Sequence, residues 1–199
     1  MSADQETLAV YAARAADYGA KFSRSMPPRV LREFMVLLPD GALVLDLGCG
    51  HGGSARFMAE AGFKVEAWDA SAEMLDLLAP HDNITKRQAE FEDVEGVSIY
   101  DGVWCNFSLL HAPREEMPTH LAAISTALKT GGVFHLGLKT GAGSKRDQLG
   151  RFYTYYGLGE LQGLLAEAGF EILSIEEGEE AGLAGPVEPF VILKARKNG

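Results

Sequence analysis

The sequence predicts an α/β fold: a doubly wound, mostly parallel seven-stranded sheet with an antiparallel last strand and helices on both faces. Three observations carry that expectation. Short apolar runs of strand length alternate with segments of helical spacing along most of the chain. The first run, 42–47, stops at the loop Gly48-Cys49-Gly50-His51-Gly52-Gly53, as a buried parallel strand does before a βα turn. The last two runs follow one another with no helix between them, which calls for one antiparallel edge.

The elements follow in order. Leu8, Tyr11, Ala12, Ala15 and Tyr18 recur at helical spacing and predict a helix over 4–22. Pro27-Pro28 punctuates, and 29–38 reads as a second helix ended by Pro39-Asp40-Gly41. Residues 42–47 form the first strand, 54–61 a helix closed by Gly62, and 63–68 the second strand. Ser71 caps a helix that runs to Leu78 and stops at Pro80. Short strands are expected at 84–88 and 102–107, then a helix over 115–128 ended by Gly131-Gly132, and a fifth strand at 133–138. Residues 139–157, with glycines at 141, 143 and 150 and then Arg151-Phe152-Tyr153-Thr154-Tyr155-Tyr156, read as a lid loop. A helix over 158–168 and strands at 171–176 and 190–195, joined by an acidic Gly-rich turn, close the chain. One domain spans 1–199 in this reading: a helical cap (1–40), a core (42–138), a lid (139–157) and a C-terminal helix with a strand pair (158–199).

At 199 residues the chain has the length of a single domain, and 47% hydrophobic with 23% charged residues excludes general disorder. Eighteen Lys and Arg against 28 Asp and Glu give a net charge of −10. Lys86-Arg87 and Lys145-Arg146 are isolated pairs and form no basic patch, so no nucleic-acid partner is expected. No apolar run approaches the ~20 residues of a membrane span, and no signal-peptide core is present. Two cysteines, Cys49 and Cys105, exclude a disulfide scaffold and point to a reducing compartment. The expectation is a cytoplasmic monomer or homodimer with no membrane partner.

The glycine loop satisfies Gly48-x-Gly50-x-x-Gly53 between a strand and a helix. Such glycines let backbone turn tightly and approach a ligand closely. Asp69, about 20 residues on at the end of the second strand, stands where nucleotide-binding folds accept bonds from ribose hydroxyls; capping the next helix is its structural alternative. A nicotinamide dinucleotide and S-adenosylmethionine both fit these two features. Asp46 separates them: a carboxylate two residues before Gly48 opposes a pyrophosphate and attracts an ammonium and a sulfonium.

Val44-Leu45-Asp46-Leu47-Gly48-Cys49-Gly50 resembles the first motif of the class I (Rossmann-like) S-adenosylmethionine-dependent methyltransferases. The likeness continues, in family order, through Ala67-Trp68-Asp69-Ala70-Ser71, Gln88-Ala89-Glu90-Phe91, Asp101-Gly102-Val103-Trp104 and Leu128-Lys129-Thr130-Gly131-Gly132-Val133. Ser108-Leu109-Leu110-His111-Ala112-Pro113-Arg114 is similar to small bacterial members. The resemblance implies S-adenosylmethionine as donor and S-adenosylhomocysteine as product. It places Gly48, Cys49 and Gly50 against the methionine part and sugar, and Asp46 near the amino group. It places Asp69 on the ribose, Ala70 and Ser71 near the adenine, and Glu90 and Phe91 flanking it. Phe107 and Ser108 would face the donor methyl, and Tyr11, Arg14 and Tyr18 would close over the cofactor. Where many similar sequences carry Arg or Asp after the glycines, this chain has Gly53-Ser54. Arg14 or Arg29 then becomes the candidate for the donor carboxylate.

Methyl transfer needs alignment and exclusion of water, and a base only when the acceptor must lose a proton. His111, after the fourth strand, is the candidate base or acceptor contact, with backbone bonding as its structural alternative. Tyr153 is a second catalytic candidate, and Arg114, Arg151 and Tyr155 join them as acceptor contacts, their alternative role being to anchor the loop. His51 belongs to the glycine turn, His135 to the core, and His81 and His120 to the surface. No His, Asp or Glu cluster has metal-ligand spacing, so no metal is expected. The leading expectation is methyl transfer to a small molecule. The alternatives are an NAD-dependent oxidoreductase and a non-catalytic S-adenosylmethionine-binding module.

Overall fold

The computed structural model describes residues 4–199. Its sheet contains β1 (Leu43–Leu47), β2 (Lys64–Asp69), β3 (Ile84–Gln88), β4 (Tyr100–Asn106), β5 (Leu128–Lys139), β8 (Phe170–Ala181) and β9 (Val187–Lys197), in the order β3-β2-β1-β4-β5-β9-β8. β1 pairs parallel with both β2 and β4. The chain therefore winds outward on one side of β1, then restarts on the other. The crevice at such a reversal is where ligands bind in open α/β sheets.

The doubly wound expectation holds. Leu31, Phe34, Met58 and Leu75 pack one face of the sheet against Val44, Val65 and Trp104. They come from α3 (Arg29–Met35), α4 (Gly53–Glu60) and α5 (Ala72–Leu77). Leu121, Ile124, Leu161 and Leu165 cover the other face, from α6 (Met117–Ala127) and α7 (Leu158–Glu167). Ser71 caps α5 as its sequence position implies, its Oγ accepting the Met74 amide at 3.3 Å.

The structure corrects several expectations. The helix over 4–22 is two helices, α1 (Gln5–Ala13) and α2 (Ala15–Phe22), broken where Arg14 leaves helical angles at φ −117° and ψ 16°. Gly131-Gly132 does not separate helix from strand: β5 begins at Leu128 and absorbs the glycines in an irregularity opposite Tyr100 and Gly102. The acidic run 176–180 lies within β8, not in a turn. The reversed strand is not at an edge. β9 sits between β5 and β8 and pairs antiparallel with both.

The lid reading of 139–157 also fails as a description of packing. The segment folds into an antiparallel hairpin, β6 (Ser144–Arg146) and β7 (Phe152–Thr154). Arg151, Tyr153, Thr154, Tyr155 and Tyr156 are all buried. Aromatic rings bury too much apolar surface to be left in water when a core face is within reach. His120 likewise is buried, its ring 5.7 Å from that of Phe91, because it lies on the core side of α6.

Candidate active site

The loop after β1 folds back on β2. Gly48 and Cys49 amides both donate to the Trp68 carbonyl, at 2.8 and 2.9 Å. Gly48 has φ +73°, and a Cβ built on it would lie 2.2 Å from Ser108 Cβ. Only glycine satisfies that conformation and that approach. Ser108, after β4, is fixed by donating to the Leu47 carbonyl at 2.6 Å while Cys105 Sγ lies 3.0 Å from its Oγ.

Asp69 ties the loop to the end of β2. One carboxylate oxygen accepts the Gly50 amide at 2.8 Å, the other the Ser71 amide at 2.9 Å. Burial raises its pKa, opposed by those two bonds. Asp46 is 2% exposed, and its Oδ2 has no hydrogen-bond partner. Burial pushes its pKa up to about 8, the nearby charge of Asp69 adding to the rise and the Ala55 amide opposing it. An orphaned buried carboxyl oxygen beneath a glycine loop is expensive to maintain unless a donor reaches it.

A cavity of about 510 Å³ opens over this loop, within the range of small-molecule sites, about 300–1,000 Å³. Of the residues expected to hold a cofactor, Tyr11, Tyr18, Gly48, Gly50, Asp69, Ala70, Glu90, Phe91, Phe107 and Ser108 line it. Asp46, Cys49 and Ser71 are buried and are not part of the lining. Arg14 does not line it and is exposed at the helix break. Arg29 is exposed and paired with Glu33 and Glu176, so neither arginine is placed at the cavity.

Helix α1 and the β6–β7 hairpin build the outer wall together. Arg146 holds Asp4 through two bonds of 2.9 and 2.8 Å. The Phe152 amide donates to Thr7 Oγ1 at 2.8 Å. Arg151 Nη1 donates to the Tyr11 hydroxyl at 3.0 Å, while Asp147 takes its Nε and Nη2.

His111 lines the cavity, with both ring nitrogens occupied. Nδ1 is 2.6 Å from the Phe152 carbonyl, which can only accept, so Nδ1 carries the proton. Nε2 therefore accepts from the Tyr11 hydroxyl at 2.8 Å. Burial lowers the imidazole pKa to about 4. Arg114 also lines the cavity, but Glu160 and the Tyr155 carbonyl hold its guanidinium, which stacks 4.6 Å from the Tyr156 ring. Tyr155 is not part of this cavity's lining and donates to Glu188 at 3.0 Å.

Tyr153 and Arg151 face a second cavity of about 90 Å³. Tyr11, Tyr18 and Phe107 line both spaces. Phe107 is held at φ +57°, a strained position for a bulky residue and one found at ligand sites. Its ring meets Phe190 edge-on, centroids 5.7 Å apart. Phe190, Lys139 and Glu188 belong to this space but escaped the sequence reading. Their signal is register: Lys139 at the end of β5 faces Phe190 across the β5–β9 ladder, and that pairing is not written in local spacing.

Comparison with known proteins agrees with this geometry. The methyltransferase domain family matches residues 44–132. The cypemycin N-terminal methyltransferase of a Streptomyces species is 38% identical over 102 residues, covering 49% of this chain and 42% of that protein. The sarcosine/dimethylglycine N-methyltransferase of Halorhodospira halochloris is 31% identical over 148 residues, covering 66% of this chain and 45% of the relative. The chain thus spans less than half the length of these curated relatives. The Burkholderia thailandensis 1,6-didemethyltoxoflavin-N1-methyltransferase, solved with 1,6-didemethyltoxoflavin and S-adenosylhomocysteine, aligns with 100% of this chain and 92% of its own. Its TM-score is 0.72 at 23% identity, a likeness of fold. The matched segment runs from β1 into β5, across the glycine loop and Asp69: this part of the chain is similar to the methyltransferase domain family, and the whole sheet shares the fold of the solved methyltransferase.

Proposed function

We propose that this protein transfers a methyl group from S-adenosylmethionine to a small-molecule acceptor. The observation that carries the reading is the pair of carboxylates at the glycine loop, Asp69 on the cavity wall and Asp46 beneath it with an orphaned oxygen. Both arginines lining the cavity, Arg114 and Arg146, are paired with acids, Glu160 and Asp4. A pyrophosphate would meet the Asp69 carboxylate and no unpaired arginine at this loop, whereas an ammonium would be attracted there and would draw the buried Asp46, protonated in its absence, into its charged form. That sign is what disfavours a nicotinamide dinucleotide.

The residues fit the donor. Each Asp69 oxygen has a lone pair left after its backbone bond and can accept a ribose hydroxyl. Phe91 and Ala70 offer apolar walls for the adenine, with Glu90 at its edge. Asp46 would receive the ammonium. When bound, the donor supplies a methyl group on a good leaving group. The chain's own work is then to align the acceptor and keep water out, which Tyr11, Tyr18 and Phe107 do as a wall of rings. His111 serves as architecture in this reading. Its Nδ1–H and Nε2 pin the β6–β7 hairpin and α1 to the loop after β4, and neither nitrogen is open to an acceptor.

The small acceptor is supported by the volume of the cavity and by the net charge of −10, which repels nucleic acid. The buried free thiols Cys49 and Cys105 suit a cytoplasmic setting. Calorimetry tests the assignment: S-adenosylhomocysteine should bind at micromolar affinity and NADH should not. The reverse order of affinity would overturn it.

A further inference from the structure

We propose that the carboxylate at the amino acid end of the donor is held without a cation, by the side-chain amide of Asn106 and the hydroxyl of Tyr18, and that the buried His135 sets the orientation of that amide. This rests on the methyltransferase reading above and assigns a charged group of the donor that the reading leaves without a partner.

Elimination comes first. Among the described residues, the cations lining the two cavities are committed elsewhere. Arg114 is held by Glu160 and the Tyr155 carbonyl, Arg146 by Asp4 and Glu6, Arg151 by Asp147 and Lys139 by Glu188. The amides of the glycine loop are spent as well. Gly48 and Cys49 donate to the Trp68 carbonyl, Gly50 to Asp69 and Gly52 to the Cys49 carbonyl. An anion here falls to neutral side-chain donors.

Position selects among them. One carbon carries both charged groups of an amino acid, so the carboxylate oxygens lie about 3 Å from the ammonium nitrogen. The carboxylate partner therefore stands near Asp46. Asp46 pairs with Trp104 across the β1–β4 ladder. Side chains alternate along a strand, so Asn106, two residues beyond Trp104, leaves β4 on the face that Asp46 occupies. Gly48, two residues beyond Asp46, puts no side chain between them. Asn106 lines the larger cavity. Tyr18 covers the same loop, its Cε1 3.5 Å from where a Cβ on Gly50 would stand. Edge contacts with the rings of Tyr11 and His51, at 5.8 and 5.7 Å between centroids, hold it there. Its hydroxyl has no hydrogen-bond partner among the described residues.

His135 decides which end of the amide faces the ligand. Its Nε2 lies 2.9 Å from Asn106 Oδ1, and its Nδ1 is buried with no partner. An unbonded N–H is rarer in a protein interior than an unbonded acceptor. Lys194 stands opposite His135 on β9, and a cation favours a lone pair over an N–H. The proton therefore sits on Nε2, which donates to Oδ1. Stacking on Trp104, 3.6 Å between centroids, holds the imidazole in its plane. Asn106 Nδ2 is the end left over, unbonded among the described residues and not sealed in the core. Acid then meets ammonium at Asp46, while amide and hydroxyl meet the carboxylate. This accounts for a glycine loop that ends in Gly53-Ser54 with no arginine.

The test compares two ligands by calorimetry on the full chain. S-adenosylhomocysteine carries both charged groups; S-adenosyl-3-thiopropylamine keeps the ammonium and lacks the carboxylate. Wild type should prefer the first by at least about tenfold. Tyr18→Phe should cut S-adenosylhomocysteine affinity about five- to tenfold and leave the amine within about twofold. Asn106→Asp keeps the bond from His135 and sets one carboxylate against another. It should weaken S-adenosylhomocysteine at least about thirtyfold and leave the amine bound as tightly or more so, reversing the preference. His135→Leu frees the amide and should shrink the preference several-fold, a selectivity that a general loss of packing would not move. An unchanged preference in His135→Leu overturns its orienting role. Equal affinity of wild type for the two ligands, or equal losses for both in Tyr18→Phe and Asn106→Asp, overturns the proposal while the methyltransferase reading stands. Failure of wild type to bind S-adenosylhomocysteine removes both.

Discussion

The Tyr11 hydroxyl donates to Nε2 of His111 across 2.8 Å, joining residues 100 positions apart. That bond stabilises the neutral imidazole only. Tyr11→Phe should therefore raise the His111 pKa from about 4 part of the way to its ordinary value, burial remaining as the larger depressing cause. Because the folded pKa is depressed, this residue's stability contribution is complete above about pH 6.5 and is lost as pH falls towards 4. Tyr11→Phe narrows that window. Nitrogen chemical shifts of the His111 ring followed from pH 7 to 4 check the value directly, and an unmoved titration would contradict the hydrogen-bond assignment.

Asp46 acts in the opposite direction. Its folded pKa, about 8, lies above the unfolded carboxylate value, so the folded state holds the extra proton. Its contribution to stability is full below about pH 4 and is lost as pH rises through 8. Asp46→Asn should flatten the stability–pH curve measured by urea denaturation between about pH 4 and pH 8. The same variant should weaken S-adenosylhomocysteine by about tenfold or more and leave 5′-methylthioadenosine, which lacks the amino acid part, nearly unaffected. Equal losses for both ligands would place Asp46 elsewhere.

Asp69→Ala removes two ribose acceptors and the anchors of the Gly50 and Ser71 amides. Charged hydrogen bonds contribute about 1.5–3 kcal/mol each, so affinity should fall at least ~100-fold. Unchanged affinity by calorimetry would withdraw the ribose assignment.

Phe107 carries positive φ without being glycine. Glycine at that position should relieve strain of about 1 kcal/mol that alanine retains. Phe107→Gly should then unfold at a higher denaturant concentration than Phe107→Ala, the reverse of the usual ranking. The usual ranking would show that the position is unstrained in solution.

Arg146→Ala unlatches α1 from the hairpin. The pair with Asp4 is partly exposed, so global stability should change by less than about 1 kcal/mol. Hydrogen exchange of the Thr7 to Tyr11 amides should accelerate, and S-adenosylhomocysteine should dissociate faster. Protection equal to wild type would mean that the latch contributes nothing to α1 docking.

Legibility in the sequence followed the range of the interactions. Strands β1 to β4 and the glycine loop are local: each apolar run, cap or glycine announces itself within a few residues, and so did Asp46, Asp69, Glu90 and Phe91. The glycine pair at 131–132 misled because β5 tolerates them in a bulge opposite β4, a matter of pairing rather than propensity. The tyrosines of 153–156 misled because loop composition says nothing about the core face they cover. The resemblance places Arg14 over the cofactor with Tyr11 and Tyr18; the helix breaks at that residue, and its side chain is exposed rather than in the cavity lining. Lys139, Glu188 and Phe190 meet only through the β5–β9 register, which no window of sequence contains.

β9 lies between β5 and β8, so the bend joining the two longest C-terminal strands returns to the mouth of the small cavity on a stiff two-stranded arm. Residues 181–183 there line the small cavity and not the larger one. The bend and the glycine loop thus shape different spaces from separate stretches of the chain, meeting only at the shared rings of Tyr11, Tyr18 and Phe107. Loop grafts at 182–186 offer an engineer, or a lineage, a way to reshape the small cavity while leaving the glycine loop as it is.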